Sequence, residues 1–165
     1  MKRLFFCLGG IILPLFCLPL FAATIGDKSP HCVMTSSTNA PINLTEYQGK
    51  VVYVDFWASW CPSCMQSFPF LNQLLQEYGD KAFSIVGVNL DEQHDDAQAF
   101  LAHHPTKFTI TNHGGEQCAK MFDVQAMPTA YLIDKHGVIR HIQMGFRAGE
   151  VDELKSQIAK LLAEK

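Results

Sequence analysis

Residues 51–64 read VVYVDFWASWCPSC, and this stretch decides the fold. Val51–Trp57 is a run of β-branched and aromatic residues, which is typical of a buried strand. Apolar residues then recur at helical spacing, namely Met65, Phe68, Leu71, Leu74, Leu75 and Tyr78. The stretch therefore predicts a strand, a turn and a helix, with Cys61 and Cys64 where the helix begins.

The rest of the chain predicts alternating strands and helices around this unit. We expect strands at 83–90, 107–111, 129–133 and 138–144, and helices at 95–104, 117–122 and 148–162. A turn signal at 134–137 predicts that the last two strands form an antiparallel hairpin. Residues 24–49 are rich in Ser, Thr, Asn, Pro and Gly, which indicates a loop-rich extension carrying a small hairpin. The sum is an α/β fold with a mixed central sheet covered by helices on both faces.

The spacing of Cys61 and Cys64 predicts disulfide chemistry. The first turn of a helix brings positions i and i+3 together, so the two sulfurs can close a small ring. Cys61 would lie at the positive end of the helix, which stabilises a thiolate, and Cys64 would be shielded one turn inside. We therefore predict that Cys61 attacks a partner disulfide and that Cys64 then attacks Cys61 to release the reduced partner.

Several other roles for this cysteine pair can be weighed. A zinc site needs two more ligands, and the remaining candidates have no paired spacing: His31, Cys32, His113 and Cys118. A purely structural disulfide leaves Trp60 and Pro62 unexplained. A thiol peroxidase needs an activating Thr and Arg, which are absent around Cys61. A Cu(I)-binding chaperone stays open, because soft thiolates suit that ion, although it would need a third ligand. We expect neither a metal nor a cofactor.

Charge and the N-terminus restrict the partners and the location. The net charge is −3, and no cluster of Lys and Arg is interleaved with aromatic residues, so we expect no nucleic-acid partner. Residues 1–22 have a charged start, a long apolar stretch and small residues at its end, which predicts a signal peptide. The apolar stretch is also nearly long enough for an uncleaved membrane anchor. Either reading places a domain at 23–165 in the periplasm or another extracytoplasmic compartment.

From residue 29 onward the chain resembles the thioredoxin superfamily, in particular its exported TlpA and ResA-like branch. The resemblance rests on residues 54–64, on Pro69 five positions after Cys64, and on a Met-Pro-Thr segment at 127–129 that is similar to the cis-proline segment of that family. It implies a thioredoxin fold with an N-terminal hairpin extension and a thiol:disulfide oxidoreductase acting mainly as a reductase. The implied partners are disulfide-bearing exported proteins and a membrane electron donor of the DsbD/CcdA type. We expect a monomer.

The resemblance also assigns roles to individual residues. It implies that Cys61 is the nucleophile, Cys64 the resolving thiol and Pro128 the cis-proline facing the disulfide. Asp55 would accept the proton of Cys64; the alternative is an aspartate hydrogen-bonded to solvent at a strand end. Further residues border the substrate groove: Trp60, Pro62, Ser63, Met127 and Gly145.

Two positions depart from the family pattern, and one dipeptide leaves the redox direction open. Ser67 stands where TlpA and ResA-like proteins carry a glutamate, and Gly87 stands where thioredoxin has a lysine partner for its aspartate. The dipeptide Pro62-Ser63 matches neither thioredoxin nor the strong oxidants, so a dithiol oxidase or isomerase remains an alternative.

Cys32 and Cys118 remain after export, and two arrangements are possible for them. In an oxidising compartment they could form a second disulfide. Each also occupies an apolar setting in which a free cysteine behaves as a small core residue. We favour two buried thiols.

Overall fold

The computed structural model describes residues 23–164. The signal peptide predicted at 1–22 lies outside this range. Among the described residues, no helix is long and apolar enough to cross a membrane.

Seven strands within this range form one sheet, in the order β2-β1-β5-β4-β3-β6-β7. The strands are β1 Val33–Ser36, β2 Pro41–Asn43, β3 Val51–Trp57, β4 Phe83–Asn89, β5 Thr109–His113, β6 Thr129–Ile133 and β7 Ile139–Met144. The helices are α1 Pro62–Tyr78, α2 His94–His103, α3 Gly115–Phe122 and α4 Val151–Ala163. Short 3₁₀ turns span Leu44–Tyr47, Gly79–Lys81 and Ala148–Glu150.

Strand β3 is the centre of the sheet. It runs parallel to β4 and antiparallel to β6, and every one of its residues is buried. Its side chains alternate between two cores, as the period of a strand requires. Tyr53 and Trp57 face a core shared with α1, α2 and α4, whereas Val54 and Phe56 face a core shared with α3. The predicted mixed sheet with helices on both faces is therefore confirmed.

The predicted elements agree closely with the observed ones, and one pairing was not predicted. β3 and β6 have the predicted bounds, whereas β5 begins two residues later than expected. The hairpin expected in the extension is formed by β1 and β2. Strand β1 also pairs with β5, through Thr35 and His113, so the extension is part of the central sheet.

Cys32 and Cys118 form a disulfide, so the prediction of two buried free thiols was wrong. Their Cα atoms lie 5.3 Å apart, well inside the range a disulfide needs. Both residues are almost fully buried, which either arrangement would give. The deciding factor is the pairing of β1 with β5, because it brings the start of β1 against α3.

The second disulfide is expected to stabilise the fold substantially. It joins residues 86 positions apart, and such a crosslink restricts the unfolded chain far more than a short one. Replacing Cys32 and Cys118 together by Ala should lower the free energy of unfolding by roughly 2–5 kcal/mol, measured by urea denaturation of the oxidised protein. The matched control replaces Cys61 and Cys64 together, which removes a disulfide of sequence separation 3. Equal losses in the two double variants would contradict this expectation.

Candidate active site

The predicted site residues gather at the carboxyl end of β3. The strand ends at Trp57, and a short turn leads to Cys61, which is the N-cap residue of α1. Pro62 occupies the first turn of the helix, where its fixed φ suits the helix and its missing N–H removes no hydrogen bond. The buried strand and this helix start together fix the position of Cys61.

Cys61 and Cys64 form a disulfide with their Cα atoms 5.3 Å apart. The backbone N–H of Cys64 donates a hydrogen bond to the Cys61 sulfur at 3.2 Å, and the Ser63 hydroxyl lies 3.6 Å from that sulfur. The Cys61 sulfur therefore occupies the place of a capping oxygen at the positive end of the helix. The predicted geometry of the pair is confirmed.

Both cysteines are covered in this oxidised state. Cys64 is 0% exposed and Cys61 is 3% exposed, so the expected difference in access between them is small. Trp60, beside Cys61 in the chain, is 66% exposed. A large aromatic surface thus lies next to the disulfide.

Asp55 is buried on the same face of β3 as Tyr53 and Trp57, the face that packs against α1. It is 2% exposed, and its cross-strand neighbours are the small residues Gly87 and Ala130. Among the described residues, its Oδ2 atom has no hydrogen-bond partner. Burial raises the pKa of Asp55 to about 8. The alternative of an aspartate hydrogen-bonded to solvent at a strand end is therefore wrong.

Gly87 pairs directly with Asp55, and its surroundings explain why no lysine stands there. An added Cβ would lie 2.7 Å from Ile110 Cδ1 and 3.2 Å from Trp57 Nε1. Both contacts are closer than ordinary packing allows. The Trp57 indole thus fills the space beside Asp55 that a lysine side chain would need.

The loop before β6 adds the predicted proline. The peptide bond between Met127 and Pro128 is cis, and the Gly145 N–H donates a hydrogen bond to the Pro128 carbonyl at 2.7 Å. Met127 is half-buried, and within residues 23–164 its backbone N–H and carbonyl make no backbone hydrogen bond. The structure therefore brings Met127, Pro128 and Gly145 together.

Asp91 is a residue of the site that the sequence analysis missed. Its carboxylate accepts hydrogen bonds from the Ser59 backbone N–H at 3.0 Å, the Ser59 hydroxyl at 2.9 Å and the Asn89 side-chain amide at 2.8 Å. These bonds tie the turn before Cys61 to the end of β4. The sequence feature that could have identified Asp91 is its position just after a strand parallel to β3, since the carboxyl ends of parallel strands meet at one edge of the sheet.

The comparisons with known proteins agree with this geometry. The family model described as Redoxin matches residues 24–158. The chain belongs to this family, within the thioredoxin superfamily. It is a thioredoxin-fold thiol-disulfide oxidoreductase of the ResA and TlpA-like kind, as the sequence predicted.

Individual similar proteins are described as thiol-disulfide oxidoreductases or interchange proteins. The thiol-disulfide oxidoreductase ResA of Bacillus thuringiensis subsp. konkukian is 32% identical over 120 residues, which cover 72% of this chain and 69% of that protein. A Chlorobium tepidum protein described as a candidate thiol:disulfide interchange protein DsbE has a TM-score of 0.82 and 39% identity, covering 86% of this chain and 100% of its own. A secreted disulfide oxidoreductase of Mycobacterium tuberculosis has a TM-score of 0.68 and 25% identity, covering 78% and 95%.

The raised pKa of Asp55 makes stability depend on pH. The folded protein keeps the proton up to about pH 8, whereas the unfolded chain releases it near the ordinary value of 3.8. The contribution of Asp55 to stability is therefore fully present below pH 3.8 and is lost as the pH rises through about 8. An asparagine at position 55 does not titrate. At pH 8 the free energy of unfolding of Asp55→Asn should therefore be several kcal/mol higher than that of the wild type, since one pKa unit corresponds to about 1.4 kcal/mol.

Urea unfolding of the oxidised proteins at both ends of this pH range measures the difference. Asp134→Asn is the control, because the pKa of Asp134 is lowered and its replacement should change stability in the opposite direction. Desolvation at Asp134 is outweighed by hydrogen bonds from Val138, Arg140 and His136, which lower its pKa, so its replacement should reduce stability at high pH. Parallel pH profiles for the wild type and Asp55→Asn would contradict the buried, protonated state of Asp55.

Proposed function

We propose that this protein reduces disulfides of exported proteins, with Cys61 as the attacking thiol and Cys64 as the resolving thiol. The observation that carries the proposal is the hydrogen bond from the Cys64 N–H to the Cys61 sulfur at the N-terminus of α1. The same donor and the helix dipole would stabilise a Cys61 thiolate in the reduced protein. Cys64, which is fully buried, has its sulfur beside Cys61 and away from solvent.

The exchange proceeds in two balanced steps. The Cys61 thiolate attacks one sulfur of the partner disulfide, which forms a mixed disulfide and releases the other partner sulfur as a thiolate. Cys64 then loses its proton and attacks Cys61, which closes the Cys61–Cys64 disulfide and releases the second partner sulfur. The partner gains two electrons, and the protein is left oxidised.

Asp55 is the proposed acceptor of the Cys64 proton. It lies on the face of β3 that packs against the same core as Cys64. A group with a pKa of about 8 can both take up and release a proton near neutral pH, which is the condition for efficient acid–base catalysis. Asp55 can therefore serve the reaction in either direction.

The substrate is proposed to lie against the residues around the disulfide. The free backbone groups of Met127 can pair with an extended segment of the partner, as in strand addition. Trp60, Pro62, Ser63 and Gly145 would border this segment, and Pro128 would face the disulfide. Proline there places neither a backbone donor nor a metal-binding side chain beside the sulfurs.

The proposed setting is extracytoplasmic. Residues 1–22 would direct export, and 23–165 would act as a monomeric domain recharged by a membrane electron donor of the DsbD/CcdA type. The secreted M. tuberculosis relative supports this location. The alternative is that the protein acts as a dithiol oxidase or isomerase. The reduction potential of the Cys61–Cys64 pair distinguishes a reductase from an oxidase, because such potentials range from about −270 to −120 mV among thioredoxin-fold proteins. A potential near −120 mV would favour the oxidase.

Trapping tests the assigned roles of the two cysteines. Cys64→Ala should accumulate mixed disulfides at Cys61 in cells that express the full chain, because nothing resolves them, and should lose insulin reduction. Mass spectrometry of the adducts identifies the sulfur that is engaged.

Two variants control the trapping experiment. Cys118→Ala leaves Cys32 unpaired, but the Cys32 thiol is buried, so this variant should trap no partner and should keep insulin reduction. Cys61→Ala should lose both properties. A Cys64→Ala protein that traps nothing and reduces insulin as fast as the wild type would refute the proposed exchange.

A further inference from the structure

The carboxylate of Asp91, just after β4, binds the turn that precedes Cys61. The Ser59 backbone N–H lies 3.1 and 3.0 Å from the two Asp91 oxygens and is shared between them. The Ser59 hydroxyl donates to Oδ1 at 2.9 Å, and the Asn89 side-chain amide donates to Oδ2 at 2.8 Å. A carboxylate can hold these donors together because both of its oxygens accept, whereas a carboxamide has only one accepting oxygen.

Asp91 is itself attached to the interior of the fold. Its backbone N–H donates to Asn89 Oδ1 at 3.3 Å, and the Asn89 backbone N–H donates to Thr111 Oγ1 on β5 at 3.1 Å. Asn89 and Thr111 are both buried. A Cβ on Gly115 would lie 2.2 Å from the Asn89 carbonyl oxygen, so the start of α3 packs directly against the end of β4. Two strands and a helix therefore fix the carboxylate that binds Ser59.

The chain is held on both sides of Cys61. Before it, the Leu90 backbone N–H donates to the Trp57 carbonyl at 2.9 Å. Two residues further along, Ser59 bonds to Asp91. On the other side, Cys61 is the N-cap residue of α1. The position of Cys61 is therefore set by the end of β4 as well as by its own helix.

We infer that Asp91 is a positioning residue of the exchange reaction, because its hydrogen bonds to Ser59 keep the Cys61 sulfur at the N-terminus of α1. Without these bonds the turn is free to shift, and the sulfur moves away from the backbone donor and the helix dipole that stabilise a thiolate. The inference rests on the proposed role of Cys61 as the attacking thiol, and it adds what holds that thiol in place.

The negative charge of Asp91 by itself predicts the opposite effect on Cys61. A negative charge near a thiolate disfavours the thiolate, so removing the carboxylate would lower the Cys61 pKa if charge alone mattered. Loss of positioning instead raises the Cys61 pKa toward the value of about 8.5 for a free cysteine. The direction of the change therefore distinguishes a positioning role from an effect of charge.

Ionisation of Cys61, followed by thiolate absorbance in Cys64→Ala with the second disulfide intact, tests the inference. Adding Asp91→Ala should raise the Cys61 pKa by about half a pH unit or more. Asp91→Asn keeps one accepting oxygen for Ser59, so it should raise the Cys61 pKa less. Ser59→Ala loses only the hydroxyl bond and should shift the Cys61 pKa in the same direction, so it serves if Asp91→Ala does not fold.

Asp134→Ala is the matched control. Asp134 also accepts hydrogen bonds from a turn, through the backbone N–H groups of His136 and Val138, each at 2.9 Å. It directly follows β6, which is antiparallel to β3, so it lies at the end of the sheet away from Cys61. Its loss should lower the free energy of unfolding and leave the Cys61 pKa unchanged.

The outcomes separate this inference from the proposed function. A Cys61 pKa that Asp91→Ala leaves unchanged or lowers overturns the inference. An equal rise in Asp91→Asn or in Asp134→Ala overturns it too, because the rise would then not depend on the bonds to Ser59. A Cys61 pKa of about 8.5 in Cys64→Ala alone instead counts against the proposed function itself.

Discussion

The hydrogen bond from the Cys64 N–H to the Cys61 sulfur is the contact on which the site depends. This hydrogen bond forms because β3, which is buried along its whole length, is followed by a short turn and by a helix whose N-cap residue is Cys61. The hydrogen bonds from Ser59 to Asp91 hold the intervening turn. A sulfur placed in this way has both a backbone donor and the helix dipole to stabilise negative charge, so exchange chemistry follows from the local fold.

Burial of Asp55, on the face of β3 that packs against α1, is the second constraint. A carboxyl group without a charged partner in a core is costly as an anion, which is why its pKa rises to about 8. Its cross-strand neighbours are the small residues Gly87 and Ala130, and the Trp57 indole lies beside Gly87. The protein thus gives up stability at neutral pH, and we propose that the same carboxyl group accepts the Cys64 proton during the exchange.

Local patterns in the sequence predicted most of the fold and the cysteine pair. The buried run of β3, the hairpin of β6 and β7 and the spacing of Cys61 and Cys64 are all set by neighbouring residues. The missed features depend on pairing between distant segments. Attachment of β1 to β5 creates the Cys32–Cys118 disulfide, and the pairing of β3 with β4 brings Ser59 to Asp91. Neither register nor sheet order can be read from periodicity alone.

The acidity of Cys61 is the most direct test of this account. In the Cys64→Ala variant with the Cys32–Cys118 disulfide intact, Cys61 is the free thiol among residues 23–164. The ionisation of Cys61 can be followed by the ultraviolet absorbance of the thiolate. The account predicts a Cys61 pKa well below the value of about 8.5 for a free cysteine. A Cys61 thiol that ionises at about 8.5 or higher would contradict it.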